Sequence, residues 1–274
     1  MTGLPSADSL TDAVGTVHPQ AGPDTRIVSL VPSITELLFD LGLGPSLVGR
    51  TAYCVLPADR VKAVPKMGGT KQVHMDRLLA ARPTHVIVNI DETPRAIADE
   101  IAAAGVRVVV THPVDVADNL PLFRLLGGIF GRDAEAKTLA RRFEEAMARL
   151  VGTAAALPER RVLYLIWTNP WMTVSRDTYV ARMLELVRWQ TIADDPAVRY
   201  PAVEITEALL ATTDAVLFSS EPFPFRQRHL DAFAAAFPAH AAKARFIDGQ
   251  MTFWYGSRSI SGLDYLLAEA TGVS

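Results

Sequence analysis

One order of elements occurs twice along this chain, and that repetition limits the available folds more than any single motif does. Residues 26–30 read as an apolar strand, 33–41 as a helix, and 75–88 and 96–110 each as a helix running into a strand. The same order returns at 161–166, 178–187, 206–218 and 230–247. Continuous apolar strands alternating with helices form parallel sheets covered on both faces. The expected fold is therefore α/β, with two Rossmann-like lobes of mainly parallel sheet. Residues 26–131 make the first lobe and 158–274 the second.

Between them, residues 132–157 place Leu139, Phe143, Met147 and Leu150 on one helical stripe, with Asp133 near the start and Gly152 as the stop. About twenty residues of helix span roughly 30 Å, the width of a small domain. Such a connector permits little hinge closure and predicts a nearly preformed cleft between the lobes, where small ligands collect. Residues 1–25, with Pro5, Gly15, Pro19, Gly22 and Pro23 and no Lys or Arg, read as a flexible tail.

Composition removes several function classes. A formal charge of -3 with both signs interspersed supplies no basic stripe for nucleic acid. One cysteine, Cys54, excludes an internal disulfide framework. No apolar run is long enough to span a membrane, so no membrane insertion is expected. Residues 1–25 lack the basic, apolar and small-residue regions of an export signal. The sequence as written predicts a cytoplasmic protein, or an extracytoplasmic one if the true start lies upstream or a signal has been trimmed. The expected partner is a small molecule.

In open α/β sheets ligands gather beyond the carboxyl ends of strands. That directs attention to residues 31–33, 89–92, 111–113, 167–171, 219–222 and 249–255. Ser33 followed by Glu36 reads as a capping box at the start of the first helix.

Taken in order, the tracts RIVSLVPSITELLFDLGL, VPKMGGTKQVHMDRLLAARPTHVIV, YLIWTNPWMTVSRDTY, SSEPFPF and FWYGSRSISGLDYL resemble the helical-backbone, or class III, substrate-binding proteins of ABC importers. The likeness runs from about residue 26 to residue 267 and is nearest to the cobalamin-binding-like subgroup. It implies a ligand held between the lobes against aromatic rings, and one acid on each lobe engaging arginines of a permease. By match of motif those acids are Asp76 and Glu221. The tract LVRWQT at 186–191 departs from the Gly-Gly turn usual in the family, which points to Trp189 repacking the second lobe.

Among the strand-end loops, Tyr53, Trp167, Trp171, Phe223, Phe225, Trp254 and Tyr255 form the expected aromatic wall, since flat rings cover a large planar ligand with little entropy to lose. The plainer alternative makes Trp167 and Phe225 core filling. Ser33, Thr70, Lys71, Asn89, Glu92, Ser175, Arg176 and Arg258 are the expected polar contacts. Gly68 and Gly69 serve either close ligand approach or a turn, Gly69 being the one assigned to the site.

No metal site is expected. His74 and His112 are the only histidines placed to contribute to one, with Glu92 or Asp91. His229 and His240 read as exposed helical positions. No dinucleotide fingerprint, phosphate loop or G-x-S-x-G elbow is present, and Cys54 with His74 or His112 is the only nucleophile pair to weigh. The sequence thus predicts a non-catalytic receptor with no required cofactor, for ABC-type uptake or intracellular handling of a corrinoid such as cobalamin. A siderophore, haem or metal chelate is the alternative ligand, and a small-molecule enzyme on the same scaffold is the alternative of a different class.

Overall fold

A computed structural model describes residues 10–193 and 197–272. The chain divides into two units, one holding residues up to Pro113 together with Ala117–Arg142, the other Val114–Val116 and the chain from Phe143 onward.

In the first unit, β1 (Ile27–Ser29), β2 (Leu47–Arg50), β3 (His85–Asn89) and β4 (Arg107–Thr111) lie in the order β2-β1-β3-β4. Every pairing is parallel, with Val28 beside Val86 and Val86 beside Val108. The second unit repeats that order as β6-β5-β7-β8, with β5 (Arg160–Leu165), β6 (Trp189–Thr191), β7 (Ala215–Ser219) and β8 (Ala244–Ile247). The expected architecture of two α/β lobes with parallel sheets therefore holds. What the apolar pattern missed are β2 and β6, whose sequences LVGR and WQT are short and at least half polar or glycine and so form no apolar run.

Burial explains why these strands are apolar runs. All five residues of β3 and of β7 are buried. In the first unit Val28, Leu30, Val86 and Val88 pack with Leu78 of α2 (Met75–Ala80) and Ile101 of α3 (Arg95–Ala103). In the second, Leu163, Leu165, Val216 and Phe218 pack with Leu210 of α7 (Glu207–Ala211) and Phe233 of α8 (Gln227–Ala236). Helices α6 (Tyr179–Glu185) and α7 start at Thr178 and Thr206, whose hydroxyls accept the N–H of Ala181 and Leu209.

The long helix, α5, runs Asp133–Ala154, and its first part belongs to one unit and its remainder to the other. Leu139, Phe143, Ala146 and Leu150 are its buried stripe. Gly152 does not stop it. One glycine costs a helix only about 1 kcal/mol relative to alanine, and Ala154 one turn beyond Leu150 continues the stripe.

Two further expectations are corrected. Helix α1 (Pro32–Asp40) begins at Pro32 with Val31 as its cap residue and no side-chain cap, so Ser33 already lies inside the first turn. Proline at the first helical position, where no N–H is needed, fixes that start.

The second correction concerns the tail. Residues 1–9 fall outside the described residues, but Thr11 and Val17 bridge, Ala13 N–H donates to Val110 O, and Asp12 and His18 are buried. The Asp12 carboxylate accepts from the backbone N–H of Val14, Thr16 and Val110, and its Oδ2 lies 3.0 Å from His18 Nε2. Burial opposes its charge, yet these bonds together hold its pKa below the usual carboxylate value. The segment covers the outer edge of β4 rather than trailing free.

Candidate functional site

Around the carboxyl ends of the first sheet, Tyr53 is the prominent side chain, 63% exposed. Its ring lies over Gly69, where an added Cβ would come within 3.3 Å of Tyr53 Cε2. Gly68, at φ +111°, opens a hairpin closed by Gly69 N–H to Gln72 O and His74 N–H to Met67 O, and Ala52 N–H to Gly68 O ties it to the loop after β2. A Cβ on Gly68 would meet Gln72 O at 2.4 Å, so this glycine is required by the turn itself. Thr70 and Lys71 stand at the hairpin tip, half-buried and exposed respectively.

Asn89 is buried and accepts the Asp91 N–H through Oδ1 at 2.8 Å, so its carbonyl oxygen shapes its own loop. Ser33 is buried as well, and Glu92 is half-buried. Val55, and Ile90 within the strand-end stretch 89–92, are 45% and 47% exposed and add apolar surface near these strand ends. Their only signal was position, since Ile90 directly follows β3.

The candidate metal ligands are not assembled. His112 and Asp91 meet at 3.6 Å because Asn89 and Thr111 are paired at the ends of adjacent strands. His74, however, is the exposed residue before α2. Among the described residues no three His, Cys, Asp or Glu side chains gather as a ligand set. Neither His229 nor His240 is fully exposed: both are half-buried, and His240 pairs with Glu207 at 2.9 Å.

Cys54 is fully buried, with its thiol 3.0 Å from Thr35 Oγ1 and 3.1 Å from Thr51 Oγ1. Burial pushes its pKa up, which suppresses the thiolate that nucleophilic chemistry needs. The native protein should resist alkylation by iodoacetamide at neutral pH under conditions that label the guanidinium-unfolded chain completely. Rapid labelling of the folded protein would revive the nucleophile.

The second unit carries a run of touching rings at its strand ends. Trp167, 42% exposed, meets Phe223 edge-on at 5.4 Å, and Phe223 meets Phe225 at 4.7 Å. Phe225 is stacked with Trp171 at 5.9 Å and abuts Phe218 of the core. Phe225 is thus core filling, whereas Trp167 is not. Trp171 shares its other surroundings with Pro170, Val203, Ile205 and Phe237, around a groove of about 470 Å³.

Trp254 and Tyr255, also expected on the wall, are only 6% and 7% exposed. Trp254 follows α9 (Gly249–Phe253) and donates its indole N–H to Glu221 Oε2 at 2.7 Å, while Tyr255 packs edge-on against Tyr179 at 5.8 Å. Arg176 is exposed, and Arg258 is half-buried as the first residue of α10 (Arg258–Thr271). Of the two acids singled out by resemblance, Asp76 is exposed in the first turn of α2 and Glu221 is half-buried after β7.

Residues 27–239 match the family model described as periplasmic binding protein. The chain belongs to that family. It is a non-catalytic binding protein of the substrate-binding, ABC-transporter type. The vitamin B12-binding protein of Yersinia pestis (strain Pestoides F) is 24% identical over 194 residues, 71% of this chain and 69% of that one. Among solved structures, the periplasmic vitamin B12-binding protein of Vibrio cholerae superposes with a TM-score of 0.78 at 18% identity, covering 91% of this chain and 97% of that one. The apo form of the periplasmic heme-binding protein from Roseiflexus sp. RS-1 gives the same TM-score, 0.78, at 24% identity, covering 92% and 100%. Equal likeness to a B12 binder and a heme binder fixes the fold and leaves the ligand to the side chains. Among the described residues, no helix is long and apolar enough to cross a membrane.

Proposed function

We propose that this protein is a receptor for a corrinoid such as cobalamin, which it passes to an ABC permease outside the cytoplasm. The observation that carries the reading is the pair of exposed rings at strand ends, Tyr53 in one unit and Trp167 in the other. Tyr53, Trp167, Trp171 and Phe223 supply the apolar surface for a large planar ligand, and Thr70, Lys71, Glu92, Arg176 and Arg258 the polar contacts. Asp76 and Glu221 are the acids that dock on the permease. Relatives that bind vitamin B12 support the corrinoid.

Haem is the second reading, favoured by the exposed phenol of Tyr53, a group able to ligate haem iron.

Incubation with hydroxocobalamin followed by desalting separates the two. A coloured protein peak is the expected outcome; a colourless one, with haemin retained in a parallel run, transfers the assignment to haem. Tyr53→Ala and Trp167→Ala should each weaken retention of the bound ligand by ~1–2 kcal/mol if the rings contact it. Unchanged affinity in both would remove this pair from the site.

A further inference from the structure

Glu221 is held unusually well for a carboxylate that is only half-buried. Gln250 donates its side-chain N–H to Oε1 at 3.0 Å, and Trp254 donates its indole N–H to Oε2 at 2.7 Å. Both donors come from α9 and the residue after it. Gly249 is what brings that helix so close, because a Cβ there would lie 2.6 Å from Ser219 Oγ and 2.7 Å from the Glu221 nitrogen.

The loop beneath is fixed too. Tyr164 donates its hydroxyl to Ser219 Oγ, which donates to the Glu221 carbonyl, and the Tyr164 oxygen lies 2.6 Å from Thr252 Oγ1 of α9. Burial raises the Tyr164 pKa, which keeps this hydroxyl neutral and able to donate.

We propose that Gln250 and Trp254 are positioning residues for Glu221, holding its carboxylate so that each oxygen keeps one acceptor site for the forked donors of an arginine on a protein partner. This rests on the docking role given to Glu221 above. An ionised carboxylate has about four acceptor sites, two on each oxygen. One donor per oxygen uses half of them symmetrically and leaves a pair that suits the two parallel N–H groups of a guanidinium, which an ammonium cannot match. Trp254 on this view belongs to the docking apparatus and not to the ligand wall, and its burial and its spent indole N–H both follow.

The test uses the full chain with 15N-labelled tryptophan, whose four indole groups give four signals. The signal missing from Trp254→Phe belongs to Trp254, and the three that remain show that the variant folds. Glu221→Gln should shift the Trp254 signal upfield and leave the other three in place; an unmoved signal overturns the proposal.

Titration with Nα-acetyl-arginine amide should move the Trp254 signal saturably. Gln250→Leu should weaken that response by about fivefold or more, and Nα-acetyl-lysine amide at equal ionic strength should bind less well. Equal responses in wild type and Gln250→Leu, or to arginine and lysine, also overturn it.

Capture by nanodiscs holding a cobalamin-type ABC permease tests the docking role separately. Capture indifferent to Glu221→Ala and Asp76→Ala ends that role while the arginine result stands. Capture lost in Glu221→Ala, with an arginine response that ignores Gln250→Leu, keeps the docking role and ends the positioning one.

Discussion

Trp189→Ala should lower the unfolding free energy of the second unit by ~3–5 kcal/mol, the range for deleting a buried tryptophan. The ring is 2% exposed, on the short strand β6 that pairs Trp189 with Arg160 of β5. The guanidinium of Arg245 lies 5.1 Å from its centre and itself pairs with Glu269 of α10. Removing the indole therefore leaves a cavity and strips a cation of its aromatic face. Urea denaturation followed by circular dichroism measures the loss, and Trp189→Phe should recover a large part of it. A loss below about 1 kcal/mol would mean that the site collapses onto the smaller side chain and that the ring is not holding β6.

Acidification should destabilise the first unit well above the range where carboxylates titrate. His85, buried at the start of β3, has its pKa lowered to about 4, first by burial and then by the charges of Arg107 and His18. The folded state therefore prefers the neutral ring, while the unfolded chain takes up a proton near pH 6.5. The stability this provides is complete above pH 6.5 and is lost as pH falls toward 4, by on the order of 3 kcal/mol in total.

The neighbourhood supports neutrality on geometric grounds. The ring meets Phe130 edge-on at 5.3 Å, and Nδ1 lies 2.9 Å from Thr84 Oγ1. The Asp12 carboxylate, whose folded pKa is depressed, contributes in the same direction at lower pH, since its stabilisation is lost as pH drops through that value. Denaturation of wild type and His85→Gln at pH 7 and pH 4.5 checks this. The variant starts less stable and should lose less between the two pH values; parallel losses would show that His85 does not carry the effect.

The exposed rings and the buried ones illustrate what a linear reading can and cannot see. Tyr53, Trp167 and Trp254 all stand just beyond strands or in the loops after them, so position alone assigned them the same role. Only packing separates them. Tyr53 stands over a glycine with its ring in solvent, whereas Trp254 is folded down onto Glu221. Gln250 lies in the strand-end stretch 249–255 but carries no signal of its own, because an amide one residue into a short helix has no pattern until its partner is known. The segment at residues 10–18 misled for a related reason. Its lack of apolar periodicity, with Gly15 inside and Pro19 after it, matches a loose tail, and its order comes from bonds that Ala13 and Asp12 make to the backbone of Val110, almost a hundred residues away.

The duplicated α/β design, the parallel sheets and the long helix were written in the chain itself, because apolar periodicity reports which faces are buried and that is enough to define elements and their layers. The acids Asp76 and Glu221 were found by likeness of motif. Which donors hold Glu221, why Trp254 is spent on it, and why His85 is kept neutral were decided only in three dimensions. Hydrogen bonds and desolvation depend on distances between residues far apart in sequence, and no local pattern encodes those distances.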